Sequence, residues 1–259
     1  MDWLLNLPVG WMALVILAFV YLGTAVIYVT VTRLAVGERA RAFKAISPGM
    51  LPPLAVVFGL LVGFLAAQVW SDADRAATAV THEASDLRAA VLLAEQFPGA
   101  TEARFRELIR NHIRMAVTQE WPAMAQHNVT LAIVPTSLAD ALRLALSLDP
   151  KTPGQAIAQR ELVGALQNAL DARRQRVVLS GSQVNATKWG TLVVTAALIL
   201  MTIAMVHSDN PLANRIILTV FATGVAVAFL LIAAHSRPFT GEISVQPTVL
   251  LRVMPKDGT

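Results

Sequence analysis

Residues 51–70 read LPPLAVVFGLLVGFLAAQVW, twenty positions without an Asp, Glu, Lys or Arg. An α-helix rises 1.5 Å per residue and the hydrocarbon core of a bilayer is about 30 Å thick, so such a run predicts a membrane-spanning helix. Outward from it, three more runs meet the same test, at 11–31, 189–206 and 216–234. Backbone groups in lipid must be bonded internally, so all four are helices, and no alternation of the barrel type is present. The first run has Asp2 ahead of it and lacks a basic leader, so it is expected to be retained as a span rather than cleaved as a signal peptide.

Composition agrees. The 259 residues are 55% hydrophobic and only 15% charged, against about 25% charged in soluble domains, and the mean hydropathy is +0.57. The chain has no cysteine, which excludes a disulfide-stapled module and any thiolate metal site. The fold class expected is an all-α membrane protein with four transmembrane helices and an extramembrane helical domain between the second and third. Its parts are an N-terminal hairpin (1–70), the helical domain (71–188), a C-terminal hairpin (189–235) and a tail (236–259).

In the middle region apolar side chains recur at helical spacing in Phe105, Leu108, Ile109, His112, Ile113 and Ala116, with Arg106, Arg110 and Arg114 on another face. Glu102 and Arg106 form an i,i+4 pair. Ser137 to Asp140 reads as a capping box ahead of Leu138, Leu142 and Leu146. Thr152, Pro153 and Gln155 start a further helix carrying Ile157, Leu162, Leu166 and Leu170. No Pro or Gly interrupts the chain between the second run and Pro98, so one long helix is expected to continue out of the membrane. Ser180, Gly181 and Ser182 mark a break before the third run. Val129, Leu131 and Ile133 alternate as in a short strand or a connector.

Orientation follows the first hairpin loop, where Arg33, Arg39, Arg41 and Lys44 outnumber Glu38. The positive-inside rule makes this loop cytoplasmic and puts both termini and the helical domain outside. Arg173, Arg174, Arg176 and Lys188 before the third run oppose that assignment, but long loops translocate with weak regard to charge. The expected location is a bacterial inner membrane.

No signal points to catalysis. Phosphate-binding glycine loops, Gly-x-Ser-x-Gly elbows and metal-ligand spacings are absent, so neither enzyme, metal nor cofactor is expected. His82 beside Glu83 reads as part of a solvated face, and His207 and His235 as ends of spans. A net charge of +4 with acids nearly matching bases in the middle region gives no reason to expect nucleic acid.

The spacing of greatest interest lies in the second span. Gly59 and Gly63 form Gly-x-x-x-Gly, which lets another helix come close, either within one subunit or across a symmetric axis. Phe58 and Phe64 are the candidate gate, because apolar rings around an axis close a pore by dewetting. Gly224 and Ala228 in the fourth span are a second small-x-x-x-small packing site. Thr191, Thr195, Thr219 and Thr223 are expected to bond back to their own helices rather than line a wet path. In the tail, Pro238 stops the last span, Phe239 is expected at the membrane interface, and Gly241 permits a turn that folds the tail back. Arg237 and Glu242 are then candidates for pairing with the helical domain.

The segment from His235 to Pro247, with Arg237, Pro238, Phe239 and Gly241, resembles the Pro-Phe-x-Gly stretch of the bacterial bestrophin-like membrane proteins, a family of unknown function. The helix around Glu83, from Asp74 to Pro98, and Gln119-Glu-Trp-Pro122 are similar to the same family. The order of spans and insert also fits, over most of the chain after Ser47. The resemblance implies likeness to pentameric, four-span anion channels lined by their second span, with Phe58 and Phe64 near a constriction. It would also put the termini and helical domain in the cytosol, opposite to the charge count. Two functions are therefore carried forward. One is a homo-oligomeric ion channel whose partners are lipid, its own copies and small ions; the other is a scaffold that holds a partner through its helical domain.

Overall fold

The computed structural model describes residues 2–5, 7–126 and 135–256, and every element among them is helical. In chain order these are α1 (Asp2–Leu5), α2 (Val9–Leu34), α3 (Glu38–Lys44), a 3₁₀ turn (Pro48–Met50), α4 (Leu51–Ala94), α5 (Ala100–Met115), a π-helical turn (Ala116–Glu120) and α6 (Trp121–Ala125). There follow α7 (Thr136–Leu146), α8 (Pro153–Ser180), α9 (Ala186–Val206), α10 (Pro211–His235) and α11 (Thr248–Arg252). Four helices are long and apolar enough to cross a membrane: α2, α4 with its 3₁₀ lead-in, α9 and α10. The protein is an all-α, multi-pass membrane protein. The strand read at Val129, Leu131 and Ile133 lies outside the described residues, as does His127.

The chain divides into two compact units. One comprises residues 1–71 and 183–237, the other 72–182 and 238–259. In the first, α2, α9 and α10 pack on one another and α4 joins through one side. Its core is Met12, Ile16 and Val20 of α2, Phe58, Leu65 and Val69 of α4, Leu192, Ala196 and Ile199 of α9, and Leu218, Ala222, Val225 and Phe229 of α10. Small residues at Ala196 and Ala222 let the backbones approach, as expected where lipid tails supply no hydrophobic drive between helices. The helix starts follow from local chemistry. The Asn185 side chain accepts from Lys188 N at the head of α9, and Asn210 accepts from Ala213 N at the head of α10, where Pro211 occupies N1.

The second unit is a helical domain with its own core. All six positions of the α5 stripe, from Phe105 to Ala116, are buried, and Arg106 pairs with Glu102 at 2.8 Å. Thr152 caps α8 by accepting from Gln155 N at 3.2 Å, and Gln155 returns a bond by accepting from Lys151 N. The capping box at Ser137 does not form. Pro135 holds the N-cap position instead, so Ser137 falls inside the first turn, where its buried hydroxyl meets no partner among the described residues. Asp140 turns to Arg143 at 2.7 Å. A leucine and an isoleucine also miss the core: Leu146 and Ile157 are 64% and 60% exposed, and Ala145 and Ala158 take the seam positions instead.

α4 runs unbroken for 44 residues. Its apolar run ends at Trp70 and the helix continues through charged sequence to Ala94, as the absence of Pro and Gly predicts. α8 stops at Ser180 and α9 starts at Ala186, so the break at Gly181 also forms.

Candidate functional site

The second span's side chains divide by face. Phe58 is buried, its ring 6.1 Å from that of Phe221. Phe64 is 70% exposed. Gly59 and Gly63 are exposed, and a Cβ placed on either would meet no atom within 4 Å. The Gly-x-x-x-Gly pair therefore packs against nothing in its own subunit. Gly224 is likewise open, with Ala228 half-buried beside it. Three of the four threonines behave as membrane threonines commonly do: Thr191, Thr195 and Thr223 each donate to the carbonyl four residues back, whereas the Thr219 hydroxyl makes no such bond among the described residues.

Beyond the apolar run, α4 carries a buried seam at seven-residue spacing: Ala76, Glu83 and Ala90 on one row, and Val80, Leu87 and Ala94 on the other. Glu83 is the one charged member. It is fully buried in the helical domain, where it faces Arg176 of α8, also fully buried, and His112 of α5. Arg176 Nε donates to Glu83 Oε2 at 2.7 Å and its Nη2 to Oε1 at 3.2 Å. His112 Nε2 lies 2.9 Å from the same Oε1. Arg176 Nη2 also donates to Glu120 Oε2 at 2.9 Å, while Arg173 holds Glu120 Oε1 through Nε and Nη2 at 2.8 and 2.6 Å. The Arg176 guanidinium lies 4.8 Å from the centre of the Trp121 ring.

Local helix geometry brings these groups together. A π turn ends at Glu120, and such turns insert an extra residue that re-aims the side chains after them. On α8, Arg176 stands seven residues after Ala169 and fourteen after Leu162, both fully buried, so it enters the core on an otherwise apolar stripe. Two carboxylates face two guanidiniums, a balance that makes burial tolerable. Burial alone pushes the Glu83 carboxyl up, but the Arg176 guanidinium and the His112 ring outweigh it and hold the group at about 2, against 4.5 for a free glutamate. Burial likewise works against the Glu120 carboxylate, and the hydrogen bonds from Arg173 with the charge of Arg176 hold its pKa below the ordinary value. Each oxygen of both carboxylates already accepts from a cationic or imidazole donor, so neither is poised as a base. The cluster is a clasp joining α4, α5, the π turn and α8.

The tail closes on this clasp. Phe239 is buried in the helical domain, edge-on to Trp121 at 5.7 Å, so its ring packs in a protein core instead of serving as the exposed interface anchor the sequence predicts. Trp121 Nε1 donates to Val245 O at 3.1 Å, and Thr240 Oγ1 to Ala125 O at 3.0 Å. The turn is made by Gly241 at φ 89, with Val245 N donating to Pro238 O at 2.8 Å. Arg110 fastens the end through Pro255 O and Lys256 O. Arg237 is buried in the other unit, its Nη2 3.4 Å from Gln183 Oε1, and Glu242 is exposed.

Sequence spacing placed His112 on the buried stripe but missed Glu83, Glu120, Arg173 and Arg176 as a group. Glu83 was read as solvated along with its neighbour, and only His82 is exposed. The available signal was periodic: a glutamate seven residues after Ala76 and seven before Ala90 sits on the same row as both.

With four membrane helices and a clasped helical domain in view, the comparisons assign the class. The sequence model of the Bestrophin-like domain matches residues 8–250, and the chain belongs to that family. The three family-like strings, around Glu83, Gln119 to Pro122 and Pro238 to Gly241, are thus the three that meet at the clasp. Among solved structures, the crystal structure of a membrane protein superposes with a TM-score of 0.60 at 13% identity, over 93% of this chain and 96% of its own. At that identity the likeness is one of fold. No curated protein matches.

Proposed function

We propose that the protein is one subunit of a homo-oligomeric ion channel whose axis is lined by α4. The observation that carries this reading is the face of α4 at membrane depth. Val56, Val57, Leu60, Gly59, Gly63 and Phe64 are all exposed, and only 17% of the helix's apolar window is buried, against 22% for α2 and 39% for α9 and α10. The glycines let a second copy approach, and the Phe64 rings of several copies form an apolar constriction that closes by excluding water. Phe58 braces α4 against Phe221 from behind rather than forming the gate. Family membership supports the same reading. The clasp ties the part of α4 around Glu83 to α5, the π turn and α8.

The reading places the channel in a bacterial inner membrane, with termini and helical domain outside, on the strength of Arg33, Arg39 and Arg41. No enzymatic role is proposed. The test is ion flux into liposomes holding the purified chain, with oligomeric state measured on the same sample. Flux from a symmetric oligomer that changes in Phe64→Ala supports the channel. A monomer with no flux across several ions, pH values and voltages transfers the reading to an accessory scaffold working through its helical domain.

A further inference from the structure

A crevice of about 190 Å³ opens between α2 and α10, lined by Tyr21, Thr24, Tyr28, Arg215, Leu218 and Thr219. Arg215 is the single Asp, Glu, Lys or Arg of α10. It stands four residues beyond Pro211, so it lies roughly 6 Å along the helix from its start. Tyr28 lies six residues before Leu34, roughly 9 Å from the corresponding end of α2. Both are therefore at the depth where hydrocarbon gives way to head groups. Arg215 Nε donates to Pro211 O at 3.3 Å. Among the described residues its other four N–H groups and the hydroxyls of Tyr28 and Thr219 meet no acceptor. Tyr21 shares a hydrogen bond with Thr223 at 2.8 Å.

A guanidinium and two hydroxyl-bearing residues lining one crevice at this depth suit an anionic acceptor with several oxygens. A second copy's spans cannot supply it, because none of the four apolar runs holds an Asp or Glu. The membrane itself supplies phosphodiesters at that depth. The same end of α2 leads into Arg33, Arg39 and Arg41, which favour net negative head groups. We infer that this crevice binds an anionic phospholipid, its phosphate on Arg215 with Tyr28 and Thr219, and one acyl chain along Ala25 and Leu218. The inference does not depend on the chain being a channel.

The test is native mass spectrometry of the full chain in detergent, titrated with phosphatidylglycerol, with phosphatidylcholine of the same acyl chains, and with inorganic phosphate. Phosphatidylglycerol is expected to bind several-fold more tightly than phosphatidylcholine. Arg215→Gln should weaken it about tenfold and Tyr28→Phe about threefold, with helical content and melting temperature unchanged. Arg215→Lys should fall between, since it keeps the charge and loses the fork. Should Arg215→Gln not fold, Tyr28→Phe with Thr219→Val carries the comparison. Unaltered phosphatidylglycerol affinity in folded variants overturns the inference. Tight binding of inorganic phosphate that displaces the lipid overturns it too, and makes the crevice a free-anion site.

Discussion

Replacing Glu83 by Gln keeps the shape of the side chain and removes its charge from a site where both it and Arg176 are fully buried. The cost follows from the titration. Folding lowers the Glu83 carboxyl from 4.5 to about 2, and at 1.36 kcal/mol per unit the charged form contributes roughly 3 kcal/mol. That agrees with the 3 to 5 kcal/mol, on the order of magnitude, lost when one partner of a buried pair is removed. For a chain of this size about 3 kcal/mol lowers the melting temperature by roughly 6 to 12 °C. The sign with pH is fixed as well. A depressed carboxylate stabilises fully above its unfolded pKa and loses that stabilisation as pH falls through the folded one. The gap between parent and Glu83→Gln should therefore be constant above about pH 5 and shrink between pH 4.5 and about 2. Thermal unfolding of the purified chain in detergent, followed by circular dichroism at several pH values, measures it. A shift below about 2 °C at pH 7, or a gap that widens on acidification, would refute the clasp.

Trp121→Phe keeps an aromatic six-membered ring but removes the indole N–H that bonds Val245 O along with part of the buried ring system, which should cost at least about 1 kcal/mol and speed proteolysis of the chain after Gly241. Gly241→Ala forces a side chain into φ 89 and should destabilise by about 1 kcal/mol, read in the same melting assay. Phe58→Ala removes a buried ring and should cost about 3 kcal/mol, seen as a lower melting temperature. Phe64→Ala should leave the melting temperature of the subunit within about 2 °C while raising liposome ion leak, because the ring touches little of its own subunit.

The spans were legible because lipid imposes a length and composition rule that needs no tertiary information, and the long α4 because nothing in its sequence breaks a helix. The α5 stripe was legible for the same local reason. The charged core was not: Glu83, Glu120, Arg173 and Arg176 look like surface residues one at a time, and their burial depends on helices 93 residues apart in sequence meeting through Glu83 and Arg176. Ser137 and Phe239 were misplaced for a related reason. A capping pattern is overridden when Pro135 fixes the helix start two residues earlier, and an aromatic ring after a span is drawn from the interface when Trp121 offers it a core.

The chain has no cysteine, so single cysteines report without background. The most direct measurement compares Phe64→Cys with Val26→Cys, the latter 58% exposed on α2, by liposome flux before and after a water-soluble, membrane-impermeant thiol reagent. An axial α4 predicts that the reagent changes flux through Phe64→Cys and leaves Val26→Cys untouched. Equal inertness of both positions in a conducting protein, or modification at Val26→Cys alone, would contradict it.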